Sequence, residues 1–111
     1  MLANPAPDAN ALLQTAQQLA TLGDYGRLEI TLEKLVRVLP DSPEPLYDLA
    51  ALRSLLGKSP EALQALRQAL KMSAERKARD PRARDLHAEV RTDPRFNALR
   101  ASPEFKALIG K

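Results

Sequence analysis

Apolar residues recur along this chain at helical spacing. Leu12, Ala16, Leu19 and Ala20 make one stripe, and Leu28, Leu32, Leu35, Val36 and Leu39 a second. Leu46, Leu49 and Ala50 make a third, and Ala62, Leu63, Leu66, Ala69 and Leu70 a fourth. Steps of three and four put each set on one side of a helix. Alternating runs of Val, Ile and Thr, which would mark strands, are missing. The punctuation agrees with the stripes. Gly23 and Gly57 follow the first and third, where a left-handed residue ends a helix. Pro40 stops the second. Ser59-Pro60-Glu61 opens the fourth, with Ser as cap, Pro in the first turn and an acid facing the helix dipole. The pattern predicts an all-α protein with helices over about 9–22, 25–39, 44–56 and 60–79.

The pairs of stripes repeat. Shifted by 34 residues, the chain falls onto itself: Ala16 meets Ala50, Leu22 meets Leu56, Gly23 meets Gly57 and Leu32 meets Leu66. Apolar character is kept at Leu12/Leu46, Leu13/Tyr47, Leu28/Ala62, Leu35/Ala69, Val36/Leu70 and Val38/Met72. A period of this length signals stacked supersecondary units. Leu12, Thr15-Ala16, Leu19, Gly23-Asp24-Tyr25, Leu28, Leu32, Leu35 and Pro40 resemble the tetratricopeptide repeat, as do Leu46, Leu49-Ala50, Gly57, Ala62, Leu66 and Ala69. The resemblance covers roughly residues 9–76. Two departures stand out. Arg53 occupies an apolar place, and Ala74 replaces the closing Pro, so the last helix is expected to run on until Pro81. The resemblance implies antiparallel hairpins stacked as a short right-handed superhelix, an α-solenoid. Its parts would be a linker over 1–8, one repeat over 9–42, a second with a long second helix over 43–79, and a helical cap over 80–111.

Two such units leave a flank bare, since repeats share their core with neighbours and about three are normally needed. The end of the chain holds a smaller echo that answers this. Asp93-Pro94-Arg95-Phe96 is followed nine residues later by Ser102-Pro103-Glu104-Phe105, and these hold both phenylalanines of the protein. Each opens with an N-cap residue and proline, and each sets Phe and Leu three apart on one face. Ala83, Leu86 and Val90 suggest a short helix before them, begun by Asp85. Phe96, Leu99, Phe105, Leu108 and Ile109 are expected to seal the open end of the stack; the alternative is a sticky surface for a partner.

Composition narrows the chemistry. The chain has 111 residues, enough for one domain. It has no cysteine, which excludes disulfides, thiolate metal sites and a Cys nucleophile. No run is long enough to cross a membrane as a helix. The start, MLANPAPDAN, lacks the basic and apolar regions of a signal peptide and reads as a linker or an arbitrary start. A cytoplasmic place is favoured if the chain is full length. His87 is the only histidine, and Ser42, Ser54, Ser59, Ser73 and Ser102 fall at caps, turns or helix edges. No metal, phosphate-binding or hydrolase motif is present. No catalytic residue, metal or cofactor is expected.

The net charge of +3 hides an asymmetry. Residues 1–66 carry 5 basic and 8 acidic side chains, and residues 67–111 carry 12 and 6. Arg76, Lys77, Arg79, Arg82 and Arg84 cluster, which fits weak binding to nucleic acid or an anionic surface. The plainer expectation is a solvated surface with salt bridges to Glu75, Asp80 and Asp85, since no aromatic interleaves the cluster.

What the resemblance implies about function is protein binding. The first helices of such repeats line a concave groove, here through Leu13, Gln17 and Ala20 in one unit and Tyr47, Ala51 and Ser54 in the next, flanked by Asn10, Glu44 and Asp48. Tyr47 would be its one large anchor. The Lys, Arg and Asn that grip a carboxylate in chaperone-binding members are absent. The expected role is a non-catalytic adaptor or scaffold for a short peptide or helix. Self-assembly as a homodimer is the main alternative.

Overall fold

The computed structural model describes residues 9–110, and the expected linker lies outside them. All of the secondary structure among the described residues is helical. Four helices come first: α1 (Ala9–Leu22), α2 (Tyr25–Val38), α3 (Pro43–Leu55) and α4 (Ser59–Arg79). Their bounds fall within one residue of those read from the sequence. A short α5 (Leu86–Val90), a 3₁₀ helix (Pro94–Leu99) and α6 (Pro103–Ile109) follow.

The helix ends show why the chain turns where it does. Gly23 and Gly57 have φ of 74° and 78°. A side chain there would meet no neighbour, so the demand for glycine is conformational alone. Gly57→Ala is expected to lose about 1–2 kcal/mol, the left-handed cost of an L-residue, read as a lower urea midpoint. Asp24 caps α2, its side chain accepting from the Arg27 amide. At α4 the expectation needs correction. Lys58, not Ser59, is the N-cap, and no side chain caps the helix: Ser59 is already helical, while Pro60 lies in the first turn as expected.

Consecutive helices pack on one another, and α3 is the centre. Nine of its thirteen residues are buried, so its faces touch protein on both sides. On one side Leu49 and Leu52 join Ala16, Leu28, Leu32 and Leu35 from α1 and α2. On the other Leu46, Tyr47, Ala50 and Ala51 join Ala62, Leu66, Ala69 and Leu70 from α4. By contrast α1 has a single buried residue, Ala16. Arg53, expected to be a misfit, ties α3 back to α2. Its Nε donates to Glu29 Oε2 at 3.1 Å and its Nη2 to Glu33 Oε2 at 2.9 Å. Lys58 Nζ donates to Glu29 Oε1 at 2.8 Å. The Lys58 hydrogen bond holds the Glu29 carboxyl below the usual glutamate range; burial opposes it, and Arg53 adds to it.

The residues after α4 return along the bundle. The buried Ser73 hydroxyl donates to the Arg84 carbonyl and accepts from the Leu86 amide, pinning the return to α4. Leu86, Val90, Phe96, Leu99 and Phe105 then enter the core shared by α3 and α4, all at most 2 % exposed. Leu108 and Ile109 are partly buried against the same cluster. The Phe96 ring lies 5.4 Å from that of Tyr47 and 6.1 Å from that of Phe105, between centroids. Asp93 and Ser102 cap their helices by accepting from the Arg95 and Phe105 amides. The first of these helices, six residues long, is 3₁₀ rather than α.

A candidate binding groove

Among the described residues an open groove lies between α1 and α3, with α2 as its floor. Leu28, Leu32, Leu35 and Leu39 line the bottom. Leu13, Ala16, Gln17 and Ala20 form one wall, and Pro45, Asp48, Leu52 and Leu55 the other. Its volume is about 610 Å³, inside the usual range for ligand sites. The floor is made by the apolar stripe of α2, which turns inward because its steps of three and four keep it on one side. Along this wall α1 presents Leu13 and then the small or polar side chains of Ala16, Gln17 and Ala20.

The groove has direction. Short turns make α1 antiparallel to α2 and α2 antiparallel to α3, so α1 and α3 run the same way. Leu13, Leu39, Ser42, Glu44 and Asp48 therefore gather at one end, with Arg95 reaching in from the 3₁₀ helix. Ala20, Tyr25 and Leu55 gather at the other. Tyr25 and Leu55 are 39 % and 52 % exposed, so the apolar end is open to water.

The charged end is part of a wider network. Arg76 forks onto Glu44, with Nη1 to Oε1 at 3.1 Å and Nη2 to Oε2 at 2.6 Å. Arg84 forks onto Glu89 at 2.6 and 2.8 Å. Arg95 grips Asp93, its Nη2 donating to Oδ2 at 2.9 Å, and sends Nη1 to Asp48 Oδ1 at 3.3 Å. The Glu44 carboxyl is held below the usual glutamate range, chiefly by the Arg76 hydrogen bond. Burial raises Asp93, but the Arg95 side chain and amide, together with the Tyr47 hydroxyl, outweigh it and leave the carboxyl below the aspartate range. Asp48 goes the other way: desolvation pushes it up, and Arg95 only partly offsets that.

Three of the six expected groove residues line this opening: Leu13, Gln17 and Ala20. The flanking Glu44 and Asp48 do as well, whereas Asn10 does not. Tyr47, Ala51 and Ser54 do not line it; they are 1 %, 0 % and 2 % exposed. Tyr47 is a core residue rather than a surface anchor. Its ring packs on Phe96, and its hydroxyl donates to Asp93 Oδ2 at 2.8 Å. Burial first, and the Asp93 bond second, push the phenol well above the usual tyrosine range, so it stays a donor. The reason for the correction is the returning chain, which packs its 3₁₀ helix on the side of α3 expected to face a ligand.

The salt bridges expected within the basic run are also replaced. Arg76 and Arg84 pair with Glu44 and Glu89. Asp80 and Asp85 instead accept from the Arg82 and Ala88 amides, because turns and helix starts leave those donors free. Among the described residues no group of three or more His, Cys, Asp or Glu is placed to hold a metal ion, and no helix is long and apolar enough to cross a membrane.

Tyr25, Leu52, Leu55 and Arg95 line the groove without having been expected there. For the first three a signal exists: Asp48, Leu52 and Leu55 are spaced four and three apart on α3, and Tyr25 opens α2 beside a turn glycine. Arg95 carries no local signal, since only the return of the chain brings it there. Comparison of the chain with family models, with curated proteins and with solved structures finds no match to any of them.

Proposed function

We propose that this protein is a non-catalytic binding module, a tetratricopeptide-like pair of hairpins that holds a short peptide or helix of a protein partner between α1 and α3. The observation that carries the reading is the open groove: an aliphatic floor of about 610 Å³ with Leu13, Tyr25 and Leu55 left exposed at its rim. Apolar surface gathered in one concavity is the usual mark of a partner site. The spacing of the helices supports the repeat assignment. From Ala9 to Pro43, and from Tyr25 to Ser59, the starts are 34 residues apart, and both hairpin turns use a left-handed glycine.

Selection from a display library of helical peptides tests the reading. Enriched sequences should carry apolar residues at steps of three and four. By fluorescence anisotropy they should bind Leu55→Glu at least about tenfold more weakly, a loss on the scale of one buried apolar anchor. Leu55 is half exposed, so the change spares the fold. A library that yields no binder, or binders indifferent to Leu55→Glu, would overturn the proposal.

Self-association is the competing reading. Leu22 is 76 % exposed and, with Leu55 and Leu56, lies at the end of the bundle where the two glycine turns meet solvent. Sedimentation across a range of concentrations separates the two. A nucleic-acid role is weaker: within the basic run Arg76 and Arg84 are each paired with a carboxylate, Lys77 donates to the Pro81 carbonyl, and no aromatic interleaves the run.

A further inference from the structure

We propose that the occupant of the groove is an amphipathic helix from another protein, bearing a lysine or arginine that pairs with Asp48. The inference rests on the binding role given above and names the chemistry of the ligand.

The helical form follows from the walls. α1, α2 and α3 satisfy their backbone groups internally, so they offer an extended peptide no ladder of donors and acceptors. The neutral polar side chains along the lining are Gln17, Tyr25 and Ser42, too few to satisfy the backbone of a strand. A helix brings its own hydrogen bonds and needs only an apolar stripe. From Glu44 to Leu55 the wall of α3 is about 16 Å long, matching some three turns.

The cation follows from counting partners. Four carboxylates meet at the charged end and beside it: Glu44, Asp48, Glu89 and Asp93. Three guanidiniums face them, and each is committed to a carboxylate other than Asp48: Arg76 to Glu44, Arg84 to Glu89 and Arg95 to Asp93. Asp48 is left with one contact, at 3.3 Å to the side of a guanidinium already engaged. Its Oδ2 accepts no hydrogen bond within the described residues, yet its side chain is 46 % exposed and lines the groove. Desolvation raises the carboxyl, as expected for an anion short of compensation. A cation arriving with the ligand completes the set.

Neither of the first two helices of a second copy matches this description. α1 carries no charged residue, and the exposed side of α2 has Ile30 alone among Arg27, Lys34 and Arg37.

The test uses two labelled, hydrocarbon-stapled peptides of about twelve residues, ~18 Å long as helices. Both carry leucines at i, i+4 and i+7; one ends in Lys and the other in Glu. The Lys peptide is expected to bind the protein about tenfold more tightly in low salt. On Asp48→Asn, whose thermal melt should match the wild type, the gap should shrink to less than about threefold. Both peptides should bind Leu55→Glu at least about tenfold more weakly. Equal affinities on the wild type, with sensitivity to Leu55→Glu kept, would overturn the cation while leaving the groove its role. A preference that survives Asp48→Asn would do the same. Failure of both peptides to bind would overturn the groove reading itself. A dimer dispersed by Leu55→Glu in sedimentation would give the groove to a second copy and end the proposal.

Discussion

Phe96→Ala is expected to cost about 3–5 kcal/mol. The ring is fully buried and stands between those of Tyr47 and Phe105. Its removal forfeits the transfer energy of a large side chain, leaves a void, and breaks two aromatic pairs worth about 0.5–1.5 kcal/mol each. Domains of this size are stable by only about 5–15 kcal/mol, so the variant should be near the edge of folding at room temperature. Urea unfolding followed by helical circular dichroism reads the effect. Phe96→Leu should cost about 1–2 kcal/mol, within the ordinary span of core changes. If Phe96→Ala cost less than about 1 kcal/mol, the returning segment would be an ornament and not part of the core.

Asp93→Ala is expected to cost about 2–4 kcal/mol. The carboxylate caps the 3₁₀ helix, and losing such a cap typically costs about 1 kcal/mol. It also receives the buried Tyr47 hydroxyl, and a buried donor left alone costs about 1–3 kcal/mol more. Tyr47→Phe should be milder, near 1 kcal/mol. The double variant should lose less than the sum, since the two changes remove the same bond.

The same contact sets an acid limit. Asp93 titrates below the usual aspartate range in the folded protein, so its contribution is complete above the unfolded value of about 3.9 and fades as pH falls through the folded one. Glu44 and Glu29 are displaced in the same direction. Stability should therefore drop steeply below about pH 4. Asp48, raised by desolvation, works weakly against the trend as it is protonated. The stability gap between the wild type and Asp93→Ala should narrow over this acid range. A constant gap would mean that the carboxylate charge does no stabilising there.

What the sequence made legible was local. Helix bounds follow from apolar spacing and from Gly23, Gly57, Pro40 and Pro81, each acting within a few residues of itself. Phe96 and Phe105 stood out because aromatics are rare here and follow N-cap and proline pairs. Tyr47 was misplaced for a physical reason. Its fate depends on Asp93, 46 residues away, and no periodicity within α3 reports a neighbour that arrives so late. Arg53 is a similar case, since an arginine on an apolar face looks wrong until Glu29 and Glu33 are seen across from it. The half of the groove on α1 was legible because little packs over that helix. The other half was not, because the opening turns toward Leu52 and Leu55 once the returning chain has covered Tyr47 and Ala51.

The way the last elements close over α3 and α4 has a consequence for synthesis. A chain leaving the ribosome can form all four long helices while Tyr47, Leu66 and Leu70 still lack the side chains that shield them. That surface stays wet, and prone to sticking, until Phe105 has emerged from the ribosome. A stalled product ending before Pro94 would then be a client for quality control rather than a shorter working protein.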